Sequence, residues 1–190
     1  SLFITNFKKV KKVLSFDFPK NFRTNDAKAI NAKSIIFSIM DKKKIKRGKI
    51  FSLELSKNKK KLLAFNFKIP NSIISKGKYI YFSDSAKGTI YKYSNNNGKK
   101  SVFFSNKNTE PDGAVFSKQN YFVFADYKNS EINFFNNNGK KISSIKLPCK
   151  KPTSLCFVGK NLNKMIITSA KGPSKYDGAV LLLSRFNKYI

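Results

Sequence analysis

The fold of this chain is restricted above all by a repeat of about forty residues, a length typical of blade-like units. Three prolines stand 41 residues apart, at Pro70, Pro111 and Pro152. The turn sequence Asn-Asn-Asn-Gly-Lys-Lys occurs at 95–100 and returns 41 residues later at 136–141. Equal intervals of this length indicate that one supersecondary unit is repeated along the chain.

Short strands fill the intervals between the repeated turns. Seven segments are dominated by aromatic and β-branched residues and are bounded by turn signals such as Asn-Gly. These segments are 35–40, 49–55, 79–85, 89–94, 121–126, 131–135 and 165–170. A period near forty with about four strands per unit predicts an all-β fold, a β-propeller of three to four blades in this chain.

The number of blades also bears on domain organisation. Closed propellers have about four to eight blades, and 190 residues supply about four at most at this period. The sequence starts at Ser1, in a strand-like run and without a methionine. The chain is therefore either a compact small propeller or part of a larger one, and we expect the second, with 1–190 as one partial propeller domain that lacks the N-terminal blades.

Composition excludes several kinds of catalysis. The sequence has no His and no Trp, which removes His-ligated zinc and the Ser-His-Asp and Cys-His nucleophile arrangements. No apolar run reaches the ~18 residues of a membrane span, and no signal-peptide pattern opens the chain. We expect no membrane span and a cytoplasmic location.

The formal net charge of +29, from 39 basic and 10 acidic residues, would ordinarily suggest a nucleic-acid partner. Only three of the basic residues are arginines, although base and phosphate recognition favours the planar guanidinium group. Lysine occurs here together with Asn, Ile and Phe, which indicates a compositional bias spread over solvated faces. We expect no specific nucleic-acid partner; weak, salt-sensitive binding of anionic polymers is the alternative.

Equivalent positions of successive blades lie at similar heights in a radial repeat, so the residues that follow the three prolines are candidates for a site. They are Asn71, Asp112 and Thr153. Their oxygen atoms suit Ca²⁺ or Mg²⁺, and Mn²⁺ or Zn²⁺ are also compatible. One unit upstream, Arg23 and Asn25 would supply donors for a hydroxylated or carboxylated substrate. The alternative is that all of these are ordinary turn or loop residues.

The order of these motifs resembles the gluconolactonase, regucalcin and senescence-marker-protein family of six-bladed propellers. The family's Arg-x-Asn-Asp-Gly-Lys segment is similar to 23–28, its Asn-Gly to Asn71-Ser72, and its Tyr-x-x-Asp-Ser to 81–85. Its Pro-Asp-Gly stands intact at 111–113, and its Pro-Thr-Ser at 152–154. The resemblance runs along nearly the whole chain and implies a propeller truncated at its N-terminus, with about four of six blades present.

The resemblance implies a metal-dependent hydrolase of sugar lactones. One divalent metal ion, Ca²⁺, Zn²⁺, Mn²⁺ or Mg²⁺, would be held by an early glutamate together with Asn71 and Asp112. Asp112 would also act as general acid/base, and Arg23 and Asn25 would hold the sugar lactone. The metal would polarise the lactone carbonyl as a Lewis acid.

Three departures from the family pattern keep a second function open. The early glutamate has no counterpart in this sequence, and the family's glycines are replaced by Ala27 and Ser72. Glycine at such a position often supplies a positive φ. The alternative function is a non-catalytic propeller that binds a carbohydrate or protein partner on the same face.

Overall fold

The computed structural model describes residues 2–5, 8–15 and 17–184, and their regular secondary structure is almost entirely β-strand. A two-stranded sheet comes first, formed by β1 (Leu2–Thr5) and β2 (Val10–Leu14). Within the described residues, helix is limited to one 3₁₀ turn at Ser85–Lys87. No helix in that part of the chain has the length and apolar character needed to cross a membrane.

Four further sheets follow in chain order, and in each the strands are neighbours in the order of the sequence. The first sheet contains β3 (Phe22–Asn31), β4 (Ser34–Asp41), β5 (Gly48–Glu54) and β6 (Lys59–Phe67). The second contains β7 (Pro70–Lys76), β8 (Tyr79–Asp84), β9 (Thr89–Ser94) and β10 (Lys100–Ser105). The third contains β11 (Pro111–Phe116), β12 (Phe122–Asp126), β13 (Glu131–Phe135) and β14 (Lys141–Lys146). The fourth has three strands, β15 (Pro152–Val158), β16 (Lys164–Ser169) and β17 (Val180–Ser184).

These four antiparallel sheets are the blades of a propeller. The first strands of successive blades contact one another, β3 with β7, β7 with β11, and β11 with β15. The prediction of an all-β propeller with about four blades in this chain is therefore confirmed. Each repeated proline is the first residue of an innermost strand, where a missing N–H group is tolerated.

Aromatic side chains fill the space between blades. Phe67 of the first blade meets Phe82 of the second edge-on, with ring centroids 5.6 Å apart. Tyr81 packs from the other face of the second blade against Phe122 of the third, at 5.5 Å. Phe134 is fully buried between the third blade and apolar residues of the fourth. Because both faces of the middle blades are covered, their strands read as continuous apolar runs rather than as a clean alternation.

A buried aspartate closes the second strand of each of the first three blades, at Asp41, Asp84 and Asp126. Asp84 accepts the backbone N–H groups of Lys68 and Ile69 at 3.2 and 3.1 Å. Asp126 accepts the N–H group of the residue before Pro111 at 3.1 Å. These bonds fix the segment that leads into each innermost strand, because a buried carboxylate must find donors.

The innermost strands share an irregularity. The pairing register with the second strand shifts after Thr24, Asn71, Pro111 and Pro152, in β3, β7, β11 and β15 respectively. Such bulges turn side chains away from the regular alternation. They lie at the residues that the repeat singled out as site candidates.

Candidate functional site

A cleft of about 190 Å³ lies where β7 and β11 begin and β4 and β8 end. Its lining comes from the first three blades and includes Arg23, Asn25, Asn71 and Asp112. The four site residues predicted from the sequence therefore line one cleft. Their roles in catalysis, substrate binding and metal binding stay predictions.

Asn71 and Asp112 are joined directly across the boundary between the second and third blades. The Asn71 Nδ2 group donates to Asp112 Oδ1 at 2.7 Å. Thr153, the third residue of the expected set, does not line the cleft. Its hydroxyl lies 2.8 Å from that of Thr168 on the next strand of its own blade. The structure thus brings together two of the three equivalent residues.

The protonation of Asp112 is shifted by its surroundings. Burial raises the pKa of this carboxyl to about 7, and the nearby carboxylates of Asp26 and Glu110 act in the same direction. The hydrogen bonds from Asn71 and from the Gly113 backbone N–H oppose the shift. A carboxyl whose pKa lies near neutrality can both take up and give up a proton under physiological conditions.

Ser72 occupies the position of a family glycine and adopts a left-handed φ of 55°. Its backbone N–H donates to Asn71 Oδ1 at 3.1 Å, and its hydroxyl donates to the carbonyl of Asp112 in the next blade. Ser83 in turn donates to the Ser72 hydroxyl at 3.0 Å. The expected need for a positive φ at this position is therefore real, and serine meets it. Ala27, by contrast, has no positive φ.

Arg23 and Asn25 reach the cleft from β3. The Arg23 side chain is exposed, and its Nη1 donates to the carbonyl of Thr24 at 3.1 Å. Asn25 Nδ2 donates to the carbonyl of Pro70 at 3.0 Å, which links the first blade to the second. The two residues are thus part of a strand, which corrects the alternative of a solvated loop.

Comparison with known proteins identifies the fold family. Residues 2–171 match the family described as SMP-30/Gluconolactonase/LRE-like region. The chain belongs to this family. The resemblance inferred from the motifs is therefore confirmed.

One relative of this SMP-30/gluconolactonase/LRE-like chain is the cell growth-regulated gene 1 protein of Candida albicans. The two sequences are 30% identical over 160 residues, and the match covers 74% of this chain and 46% of the relative. A calcium-binding protein, regucalcin, from Agrobacterium tumefaciens is 21% identical with a TM-score of 0.76, over 86% of this chain and 61% of that one. A gluconolactonase from Xanthomonas campestris is 14% identical with a TM-score of 0.74, over 95% and 63%. The chain thus spans about half the length of its curated relative, and the solved structures establish the fold alone.

The divalent metal ion that the resemblance implies would meet Asn71 and Asp112 in this cleft. Asn71 has an amide oxygen, which here accepts from the Ser72 N–H, and Asp112 has a carboxylate, which contacts the Asn71 amide nitrogen. A cation would also stabilise the ionised form of a carboxylate whose burial raises its pKa. The pair therefore fits a hard divalent cation as two of its ligands. Within the described residues, no cluster of three or more acidic or sulfur side chains adds to it.

Sequence reasoning missed one residue that builds the site. The Asp26 carboxylate accepts the backbone N–H of Ile73 at 2.7 Å and that of Ala27 at 2.8 Å. It thereby holds the bulge that follows Asn71, and burial raises its pKa. Its place beside Asn25 in the Arg-x-Asn-Asp segment was the available signal.

Other lining residues were also missed, and weaker signals mark them. Glu110 immediately precedes a repeated proline, and Ser85 immediately follows a repeated aspartate. The Ser85 hydroxyl donates to the carbonyl of Pro111. Lys44 and Tyr127 belong to loops after β4 and β12, for which the repeat gives no side-chain information.

Proposed function

We propose that this chain contributes the working cleft of a metal-dependent hydrolase that opens sugar lactones. The observation that carries the proposal is the contact between Asn71 and Asp112, with the pKa of Asp112 near 7, in a cleft that Arg23 and Asn25 also line. Family membership supports the reaction class. The similarity in fold to a gluconolactonase agrees with it.

Asp112 acts as the proton carrier in this proposal. Its carboxylate takes a proton from the water that attacks the lactone carbonyl, and a C–O bond forms. When the intermediate collapses, the bond to the ring oxygen breaks and the same carboxyl returns the proton to that oxygen. Asn71 orients the carboxylate through its 2.7 Å bond to one of the two oxygens.

Arg23 and Asn25 bind the substrate in this proposal. The guanidinium donates to substrate oxygens, and the amide oxygen of Asn25 accepts from a hydroxyl while its Nδ2 remains on Pro70. A divalent cation held by Asn71 and Asp112 would supply Lewis-acid polarisation of the carbonyl when bound. Calcium, zinc, manganese and magnesium all suit these oxygen ligands.

The test is hydrolysis of glucono-1,5-lactone by this chain, measured by acid release with each metal added in turn. Asp112→Asn keeps the size of the side chain and an oxygen that accepts from Asn71, so its fold is expected to persist. We expect turnover to fall by about 10²–10⁴-fold, the range for loss of a general acid/base. Glu54→Gln, which removes an exposed carboxylate remote from the cleft, is the matched control.

Full turnover in Asp112→Asn would overturn the assignment of the proton carrier. A folded chain that binds a sugar polyol but hydrolyses no lactone with any of the metals would favour the non-catalytic carbohydrate-binding propeller instead.

A further inference from the structure

Charged side chains are divided between the two sides of the cleft. Arg23 and Lys44 line it from the first blade, and Glu110 and Asp112 line it beside the third. Asn71, on the second blade, belongs to the same lining. The basic side chains of the lining therefore come from the first blade, and its carboxyl groups lie beside the third.

The two cations have no carboxylate partner within the protein as described. The ion pairs of the described residues involve Asp41, Glu54 and Glu131, and neither Arg23 nor Lys44 takes part in them. Both side chains are exposed at the cleft, so their charges are accessible to a ligand.

Asp41 is the acid nearest to Lys44 in the sequence, and its oxygens are already bonded. It accepts from Asn21 Nδ2 at 2.8 Å, from the Lys43 backbone N–H at 2.8 Å, and from the Arg47 guanidinium. The buried carboxylate of Asp41 is therefore saturated by donors other than the Lys44 side chain.

The backbone of Lys44 is fixed by a turn. Its N–H donates to the Asp41 carbonyl at 2.9 Å, and its φ is 55°. Since Asp41 is anchored in the blade, this turn fixes the point at which the Lys44 side chain leaves the backbone beside the cleft.

We propose that the substrate of this cleft carries a negatively charged group, a phosphate or a carboxylate, that binds between Arg23 and Lys44 while the lactone ring faces Asn71. The inference rests on the proposed function and narrows its substrate class. A neutral lactone offers only hydroxyl and ring oxygens, whereas an anion makes charge-assisted hydrogen bonds with both cations.

Binding of unreactive polyols tests the inference without reference to turnover. Isothermal titration calorimetry would compare D-glucitol, D-glucitol 6-phosphate and D-gluconate on the wild-type chain, on Lys44→Gln and on Lys43→Gln. Lys43 is the matched control, because it is an adjacent exposed lysine that does not line the cleft. We expect at least one anion to bind about tenfold tighter than glucitol, as one charge-assisted bond allows. Lys44→Gln should remove most of that preference, and Lys43→Gln should retain it.

Equal affinity for the three polyols, the absence of binding by all of them, or an equal loss of preference in both variants would overturn the inference. Equal loss would mean that the general lysine charge attracts the anion. Failure of the proposed function would look different, since lactone turnover would be absent while the preference for the anion and its dependence on Lys44 persisted. The tighter of the two anions identifies the charged group.

Discussion

Replacing Gly113 by alanine tests whether close contact between blades sets the geometry of the site. Gly113 follows Asp112 directly and lies in the bulge of β11, against β15 of the next blade. An added Cβ would lie 2.8 Å from Ser154 Cα, 2.8 Å from the carbonyl oxygen of Thr153 and 2.7 Å from Ser154 Oγ. Two of these atoms are backbone, so β11 and β15 must move apart. The φ of Gly113 is not positive, which leaves packing as the cause.

Gly113→Ala should lower the free energy of unfolding by about 1–3 kcal/mol, the usual effect of overpacking an interior contact. For a chain of this size each kcal/mol lowers Tm by about 2–4 °C, so a fall of about 2–12 °C is expected for Gly113→Ala. Thermal unfolding followed by circular dichroism measures it. A second variant, Gly113→Ala with Ser154→Gly, removes the Oγ contact but keeps the two backbone contacts. We therefore expect the double variant to recover only part of the loss.

Two results would refute this reasoning. A Tm for Gly113→Ala within about 1 °C of the wild type would show that the blades tolerate a methyl group between them, against the expected overpacking cost. Complete recovery in the double variant would show that the Ser154 side chain, and not the β15 backbone, limits the approach.

Three further predictions concern the same region of the propeller. In the presence of a chelator, the free energy of unfolding should fall by about 2–4 kcal/mol between pH 4 and pH 7 relative to Asp112→Asn. The reason is that the Asp112 carboxyl ionises near 3.8 in the unfolded chain but stays protonated up to about 7 in the folded one. Parallel urea-unfolding profiles of the two proteins would contradict this prediction. Phe134→Ala should lower the free energy of unfolding by about 3–5 kcal/mol, because a fully buried ring leaves a cavity between blades; urea unfolding measures it, and a loss below about 1 kcal/mol would contradict it. Ser72→Ala should be less stable than Ser72→Gly by about 1 kcal/mol. Both variants lose the bond to Asp112, but only alanine is strained by the positive φ at this position. Equal midpoints in urea would contradict this prediction.

The second strands of the blades were the most predictable part of the fold, whereas the innermost strands β3, β7, β11 and β15 were not among the predicted segments. The expected segments 35–40, 79–85 and 121–126 correspond to β4 (Ser34–Asp41), β8 (Tyr79–Asp84) and β12 (Phe122–Asp126). Their side chains are buried on both faces, so composition alone marks them. The repeat interval then determines how many blades they form.

The outer strands could not be predicted in the same way. β6 (Lys59–Phe67), β10 (Lys100–Ser105) and β14 (Lys141–Lys146) each begin with lysine and are largely exposed, and none has the continuous buried run of the second strands. Hydrogen bonds to the neighbouring strand hold them in the sheet. Lysine stems also cover aromatic rings there, as where Lys100 Nζ lies 4.9 Å from the centre of the Tyr91 ring. Part of the large positive charge therefore has a structural role on blade edges.

The repeat predicted which residues lie at equivalent positions of the blades, but it did not predict their hydrogen-bond partners. The repeat placed Asn71, Asp112 and Thr153 at equivalent positions, yet their partners depend on the side chains opposite. Thr153 turns to the hydroxyl of Thr168, whereas Asp112 meets the amide of Asn71 from the preceding blade. A single sequence does not reveal which of these contacts forms, because each depends on tertiary pairing rather than on local propensity.

The bonds that define the site cross blade boundaries. Asn25 reaches from the first blade to Pro70, and Asn71 and Ser72 reach from the second blade to Asp112. Each of these bonds requires two blades to be packed in register, so the cleft forms only when the first three blades have assembled. A change between blades should therefore alter the protonation and orientation of Asp112 even where it touches no ligand. The same hydrogen bonds between blades therefore stabilise the fold and position the side chains of the cleft.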